Sequence, residues 1–156
     1  KPAGMEQQAT WILSKTSQEI SGCCIQAATR DFARFGLFVL NGARAGTTTI
    51  VPDGWLAEAT SERTGIGQPG RGYGYQWWTY SDGSFTARGI FGQGIFIDPK
   101  RRLVIASNAN WGGGATDPAA KEARDAFYRA VQEAIDVEAA SAAGQNQARE
   151  AAPQPK

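Results

Sequence analysis

The chain has 156 residues, 42% of them hydrophobic and 20% charged, which fits one globular domain with enough apolar content for a core. A total of 16 Lys and Arg against 15 Asp and Glu leaves +1, with no basic face for a phosphate backbone, so no nucleic-acid partner is expected. The chain has no His, which excludes a Ser-His-Asp triad, a Cys-His pair and an imidazole metal ligand.

No run approaches the ~20 apolar residues of a membrane span, so none is expected in this chain. Neither an initiator Met nor a secretory leader opens the sequence, and Lys1 is read as a point within a longer protein. Chemistry is left to Ser, Lys, Tyr, carboxylates and backbone amides.

Taken in chain order, Cys23 and Cys24 are adjacent. Neighbouring cysteines bridge only through a strained ring and close no loop, so buried free thiols are expected. Thr29 is read as the N-cap of a helix, with Asp31 in its first turn against the positive end of the dipole. Phe32, Phe35, Val39 and Leu40 make its buried face, and Asn41-Gly42 ends it. A short helix starts near Pro52 and carries Trp55, Leu56 and Ala59.

From residue 72 the texture changes to strands. Tyr73 to Tyr80 is aromatic-rich, Ser81-Asp82-Gly83-Ser84 reads as a hairpin turn, and Phe85–Ile90, Gly94–Asp98 and Leu103–Asn108 follow as strands. Asp98-Pro99-Lys100-Arg101 makes another turn. Gly92-Gln93-Gly94 interrupts the pattern as a bulge or a place of close backbone approach. Asp117 and Pro118 fit the N-cap and first position of a long helix with an apolar stripe of Ala123, Phe127, Ala130, Val131 and Ile135.

From Glu138 to Lys156 there is no Val, Ile, Leu, Met, Phe, Tyr or Trp. Residues 1–137 are therefore read as the folded part, and 138–156 as a frayed helix end followed by a disordered Ala/Gln/Pro tail. Helices, an antiparallel meander and a final helix give an α+β class: an antiparallel β-sheet flanked by helices.

A Ser with Lys three residues later sets an amine beside a hydroxyl on one helical turn, where neutral Lys takes the proton. No Ser here has that partner. Lys15-Thr16-Ser17 sits in a polar stretch, and Tyr80-Ser81-Asp82 falls in a hairpin turn; both read as decoys. In Ala87-Arg88-Gly89-Ile90-Phe91-Gly92-Gln93-Gly94, small residues let a ligand lie against the backbone. An N–H aimed at a developing oxyanion there is worth on the order of 3 kcal/mol. The alternative, glycines that serve packing or a bulge, stays open. Gly72 to Trp78 equally suits core aromatics, and Arg88 a surface or rim charge.

The landmarks together resemble a known group. Pro2-Ala3-Gly4-Met5 resembles the Pro-Leu-Gly-Met turn of the serine β-lactamase and penicillin-binding-protein superfamily, in the branch of class C β-lactamases, esterases and 6-aminohexanoate-dimer hydrolases. Ala28 to Gly36 is similar to that family's Thr-Ala-Arg-Asp-Leu-Ala-Arg-Phe-Gly helix. Val51-Pro52-Asp53-Gly54-Trp55 and Tyr73-Gly74-Tyr75-Gln76-Trp77-Trp78 match its Pro-Glu-Trp helix and Tyr-Gly-Tyr-Gly-Trp strand. Gly89-Ile90-Phe91-Gly92-Gln93 and Ile97-Asp98-Pro99 follow in the expected order. The resemblance covers about residues 1–135.

The resemblance implies a sheet flanked by helices, with the active site between it and a helical subdomain. The family's Ser-x-x-Lys helix and Tyr-x-Asn loop precede the Gly-Met turn, so here they lie before Lys1, in a missing N-terminal half of the same domain. Ala87-Arg88-Gly89 takes the place of Lys-Thr-Gly or His-x-Gly, Gly89 allows close approach, and the Ile90 N–H completes the oxyanion hole. Position 87 lacks the Lys that holds a β-lactam carboxylate, which favours a small-molecule ester or linear amide. Arg88 is a candidate replacement, although a strand points neighbouring side chains to opposite faces. Gln93 and Trp77 or Trp78 line the acyl pocket, and no metal or organic cofactor is implied. The alternative is a non-catalytic module binding peptide or cell-wall ligands, or an inactive remnant of the fold.

Overall fold

The computed structural model describes residues 2–150. It opens with a two-stranded antiparallel hairpin, β1 (Thr10–Trp11) against β2 (Ile25–Gln26), followed by α1 (Thr29–Leu40). A second short hairpin joins β3 (Arg44–Ala45) to β4 (Thr48–Thr49), and α2 (Trp55–Ala59) follows. Six strands then build one sheet: β5 (Thr64–Gly65), β6 (Arg71–Tyr73), β7 (Trp78–Tyr80), β8 (Phe85–Arg88), β9 (Gly94–Asp98) and β10 (Leu103–Ser107). Their spatial order is β10-β9-β8-β7-β6-β5, each pair antiparallel, which is the expected meander. A 3-10 turn at Gly114–Thr116 leads into α3 (Pro118–Glu150), with the Asp117 carboxylate accepting the Ala120 N–H at 3.0 Å as its cap.

The sheet has two faces of different chemistry. On the first, α1 lies across β9 and β10. Val39, Phe85, Ile95 and Ile97 form the buried cluster there, and Phe32, Phe38, Leu40, Trp77, Ala87 and Val104 pack around it. Gly36 is buried at the helix–sheet contact, where a Cβ would come within 2.9 Å of an Ile95 methyl and closer still to Val104. Phe35, expected to be buried, stands 36% exposed, because the sheet approaches through the gap that Gly36 leaves.

The N-terminal turn is pinned to α1 by one side chain. Asp31 is 1% exposed and accepts the Glu6 N–H at 2.8 Å and the Gln7 N–H at 3.0 Å, while Arg34 pairs with Glu6. The Glu6 amide, ahead of burial and the other neighbours, holds the Asp31 carboxyl below its ordinary range.

Other local expectations are adjusted. Thr29 is the first helical residue and not the cap; Ala28 precedes the helix without a side-chain bond, and Thr29 Oγ1 instead accepts the Asn108 amide at 2.9 Å. Tyr73 to Tyr80 is two strands and a turn: the Gly74 N–H donates to the Trp77 carbonyl at 2.7 Å and Gln76 has φ of 66°. A Cβ on Gly74 would strike the Ala59 carbonyl, so α2 dictates the turn. The strand expected over 85–90 ends at Arg88. Cys23 and Cys24 are bonded to each other and not free thiols, with Cys23 exposed and Cys24 half-buried.

The second face of the sheet receives α3, and the stripe expected for this helix is not the one that packs. Phe127 is 55% exposed, whereas Tyr128 and Gln132 are buried. The sheet offers polar partners on that side, so the helix answers with polar groups. Tyr128 stacks on Phe96 at 4.4 Å, and Gln132 donates to Asp98 at 2.7 Å and Asp82 at 3.1 Å. Arg101 grips Asp98 at 2.7 Å and Asp136 at 2.6 Å. The helix continues without a break past residue 137 to Glu150, and the part of the expected tail at 151–156 lies outside the described residues.

Gly36 sets two effects against each other. Alanine in a helix interior gains about 0.5–1 kcal/mol over glycine, but overpacking a tight contact costs typically 1–3 kcal/mol. Gly36→Ala is therefore expected to lower the urea midpoint at unchanged slope; a raised midpoint would show that α1 does not seat on Ile95 and Val104 as described.

Candidate active site

The glycine-bearing segment singled out in the sequence is the β8–β9 connection. β8 and β9 pair as Phe85↔Ile97, Thr86↔Phe96, Ala87↔Ile95 and Arg88↔Gly94, after which Gly89 to Gln93 turn the chain. The Gly89 N–H donates to the Gln93 carbonyl at 2.8 Å and the Gly92 N–H to the Gly89 carbonyl at 3.3 Å. The Gln93 side-chain Oε1 accepts the Phe91 N–H at 3.1 Å, so Gln93 braces the turn it belongs to. A Cβ on Gly89 would meet the Gln93 side chain, which would have to shift from its bond to the Phe91 N–H to admit it. The Ile90 N–H has no acceptor among the described residues, and Ile90 is 63% exposed at the apex.

The turn is supported from behind by the chain that follows β10. The Trp111 indole lies against Gly92, whose φ is 91° and whose missing Cβ leaves room for the ring. The Trp111 backbone N–H donates to the Phe91 carbonyl at 3.0 Å, and the Ser107 hydroxyl to the Gly92 carbonyl at 3.4 Å. The Arg124 guanidinium, from α3, sits over the indole at 5.3 Å. Trp111 went unmarked in the sequence, where a lone Trp beside three glycines carries no periodic signal.

The strand alternation divides the other candidates. Ala87 faces the α1 layer, as does Trp77, which meets Phe85 edge-on at 5.1 Å. Arg88 and Trp78 face α3. Arg88, expected as a surface or rim charge, is 17% exposed and paired with Tyr80 and with Asp125 at 3.8 Å, over the Trp78 ring at 5.4 Å. Ile90, Gly89 and Gln93 thus share the turn, Trp77 lies on the α1 side, and Arg88 and Trp78 lie on the far face. Lys15-Thr16-Ser17 occupies the exposed β1–β2 loop, and Tyr80-Ser81-Asp82 the end of β7 and the β7–β8 turn, at the opposite end of β8 from Ile90.

Arg88 is held by a charge cluster. Asp125 also binds Arg71 at 2.7 Å and Arg124 at 2.9 Å. Burial pushes the Asp125 carboxyl up, but the Arg71 and Arg124 hydrogen bonds pull harder and leave it below its ordinary range. A cavity of about 180 Å³ lies beside this cluster, between α3 and the sheet, bordered by Arg71, Tyr80, Asp82, Asp125 and Gln132. Arg71 and Asp125 in its lining are paired with each other, and neither Ile90 nor any other residue of the Gly89–Gln93 turn borders it. Among the described residues no group of His, Cys, Asp and Glu could hold a metal ion, and no helix is long and apolar enough to cross a membrane.

Comparison with known proteins gives a consistent picture. The family model described as Beta-lactamase matches residues 8–130. A 6-aminohexanoate-dimer hydrolase from Paenarthrobacter ureafaciens is 26% identical over 117 residues, covering 68% of this chain and 30% of that protein. A solved structure named "Putative 6-aminohexanoate-dimer hydrolase from Bacillus anthracis" matches with a TM-score of 0.59 at 26% identity, covering 92% of this chain and 36% of the other. The chain therefore spans about a third of the length of these relatives.

The Asp125 cluster has a defined pH signature. A carboxylate with a lowered folded pKa contributes stability that is complete above its unfolded value, here the ordinary 3.8, and is lost as pH falls through the folded value. The stability gap between the parent and Asp125→Asn is expected to be constant at neutral pH and to narrow below about pH 5. A gap that persists undiminished in acid unfolding titrations would contradict the pairing.

Proposed function

Because the chain belongs to the beta-lactamase family, we propose that it forms the oxyanion side of a serine hydrolase that cleaves esters or linear amides through an acyl-enzyme. The observation that carries this reading is the Ile90 N–H: it meets no acceptor among the described residues, at an exposed apex, in a turn braced by Gln93 in front and Trp111 behind. An oxyanion donor works by being fixed before charge develops, so that no reorganisation is needed at the moment of reaction. The three internal hydrogen bonds of the turn and the indole packed on Gly92 supply that fixity.

On this reading the nucleophilic Ser and its Lys, with the Tyr that shuttles the proton, come from the part of the relatives' length that this chain does not span. The chain holds no Ser-x-x-Lys of its own, so hydrolysis requires that part. The serine attacks the carbonyl while its own amide and that of Ile90 hold the oxygen; the ester or amide bond breaks, the alcohol or amine leaves with the proton taken from the serine, and water then releases the acyl group and restores the serine. Gly89 lets the substrate approach the strand edge, and Trp77 borders the acyl group on the α1 side.

The residue at position 87 favours neutral substrates. Ala87 stands where a β-lactamase of this family carries the Lys that engages a substrate carboxylate. Arg88 does not replace it, being turned to the opposite face and held there by Asp125 and Tyr80. Esters and linear amides without an adjacent carboxylate fit this lining better than β-lactams.

In the full-length enzyme, Ile90→Pro removes the N–H and is expected to lower kcat about 10²–10³-fold with little change in KM. Ile90→Ala keeps the N–H and should stay within a few-fold of the parent. Proline also disturbs strands, so both variants are compared by thermal melt. A folded Ile90→Pro enzyme with undiminished turnover rejects the assignment.

A further inference from the structure

The site above makes no use of Cys23 and Cys24, which end the loop between β1 and β2 and are joined to each other. A disulfide between adjacent residues closes the smallest ring a chain allows. In the loop-entropy picture it therefore constrains almost none of the unfolded chain and adds little global stability. Its effect is confined to the backbone at the ring. Cys24 has φ of 79°, a left-handed conformation that residues with a Cβ adopt only when something holds them there.

The carbonyls at this ring are the acceptors that organise the hairpin. The Trp11 indole N–H donates to Cys23 O at 2.9 Å and to Ile20 O at 3.0 Å. The Ile12 N–H donates to Cys24 O at 3.2 Å, and the Cys23 N–H to Ile20 O at 3.3 Å. Cys23 is exposed, so dissolved thiols reach the bond directly.

We propose that Cys23–Cys24 is a reversible redox site that exchanges with small thiols and disulfides of the glutathione type, and that its state sets the conformation of the Ile12–Cys24 loop through the Trp11 hydrogen bonds. In the oxidising direction one cysteine thiolate attacks glutathione disulfide, forming a protein–glutathione mixed disulfide and expelling one glutathione thiolate. The neighbouring thiolate then attacks the mixed disulfide at the protein sulfur, closing the Cys23–Cys24 bond and expelling the second glutathione. Two protein thiols and one glutathione disulfide become one protein disulfide and two glutathione thiols, a two-electron exchange that runs backwards in excess thiol. Opening the ring frees Cys24 to leave the left-handed region, which moves the carbonyls that Trp11 and Ile12 address.

The test equilibrates the full chain in mixtures of reduced and oxidised glutathione, quenches with acid, alkylates with iodoacetamide and weighs the product. In parallel the Trp11 indole N–H resonance is followed, assigned by its loss in Trp11→Phe. The expected result is a passage from two labels to none as oxidised glutathione replaces reduced, with the Trp11 resonance shifting in step. The same resonance should stay fixed in the Cys23→Ser/Cys24→Ser double variant. Two labels at every ratio overturn the redox site without recourse to any variant, and loss of label with an unmoved Trp11 resonance overturns the coupling to the loop.

Discussion

The register between β8 and β9 is the constraint on which the rest of this structure depends. Pairing Ala87 with Ile95 and Arg88 with Gly94 sends the first side chain into the apolar layer under α1 and the second into the polar layer under α3. A slip of one residue in β8 would exchange its two faces, placing the Arg88 charge beside Val39 and Ile97 and turning Phe85 toward the Asp125 layer. Burying an unpaired guanidinium in an apolar cluster costs several kcal/mol, far more than any single hydrogen bond in the turn returns. The same pairing fixes where the ladder stops, and with it the place of the Ile90 apex.

The α3 layer shows how a polar interface is made tolerable. Asp98 is 1% exposed, yet it receives the Arg101 backbone N–H at 3.2 Å, the Arg101 guanidinium at 2.7 Å and the Gln132 amide at 2.7 Å. Each acceptor is met, which is the condition under which a buried carboxylate persists. Asp82 is drawn into the same set: burial raises its carboxyl, and Ser84 and Gln132 more than offset that by hydrogen bonding. Such a layer adds modest stability for its size, but it fixes the helix in one rotation, because no other face of α3 presents Asp125, Tyr128 and Gln132 together.

Much of this was legible in the sequence, and the failures have physical causes. The meander, its turns and the helix beginning at Pro118 followed from alternation, turn residues and caps, which are local signals. The buried face of α3 was misread because apolar periodicity was counted where the sheet supplies polar partners, a fact known only once Arg71, Arg88 and Asp98 share a face. Gly36 carried no sign that it was a contact and not a weakness of its helix. Tyr73 to Tyr80 looked continuous because aromatics suit strands, while the turn inside it is imposed by the Ala59 carbonyl beneath Gly74. In the candidate site, the Gly89–Gln93 segment was visible from its glycines, whereas the Trp111 support and the Asp125 grip on Arg88 are long-range and left no local trace.

The indole of Trp111 fills the space that a side chain on residue 92 would need. The dependence between the two positions runs one way. A lineage that enlarges residue 92 has to give up the indole, whereas one that loses the indole still needs glycine there for the φ of 91°. Among descendants of this sequence, tryptophan at 111 should be found only where residue 92 is glycine, while glycine at 92 can outlast the tryptophan, and a lineage that keeps only the glycine carries a turn with an empty space behind it.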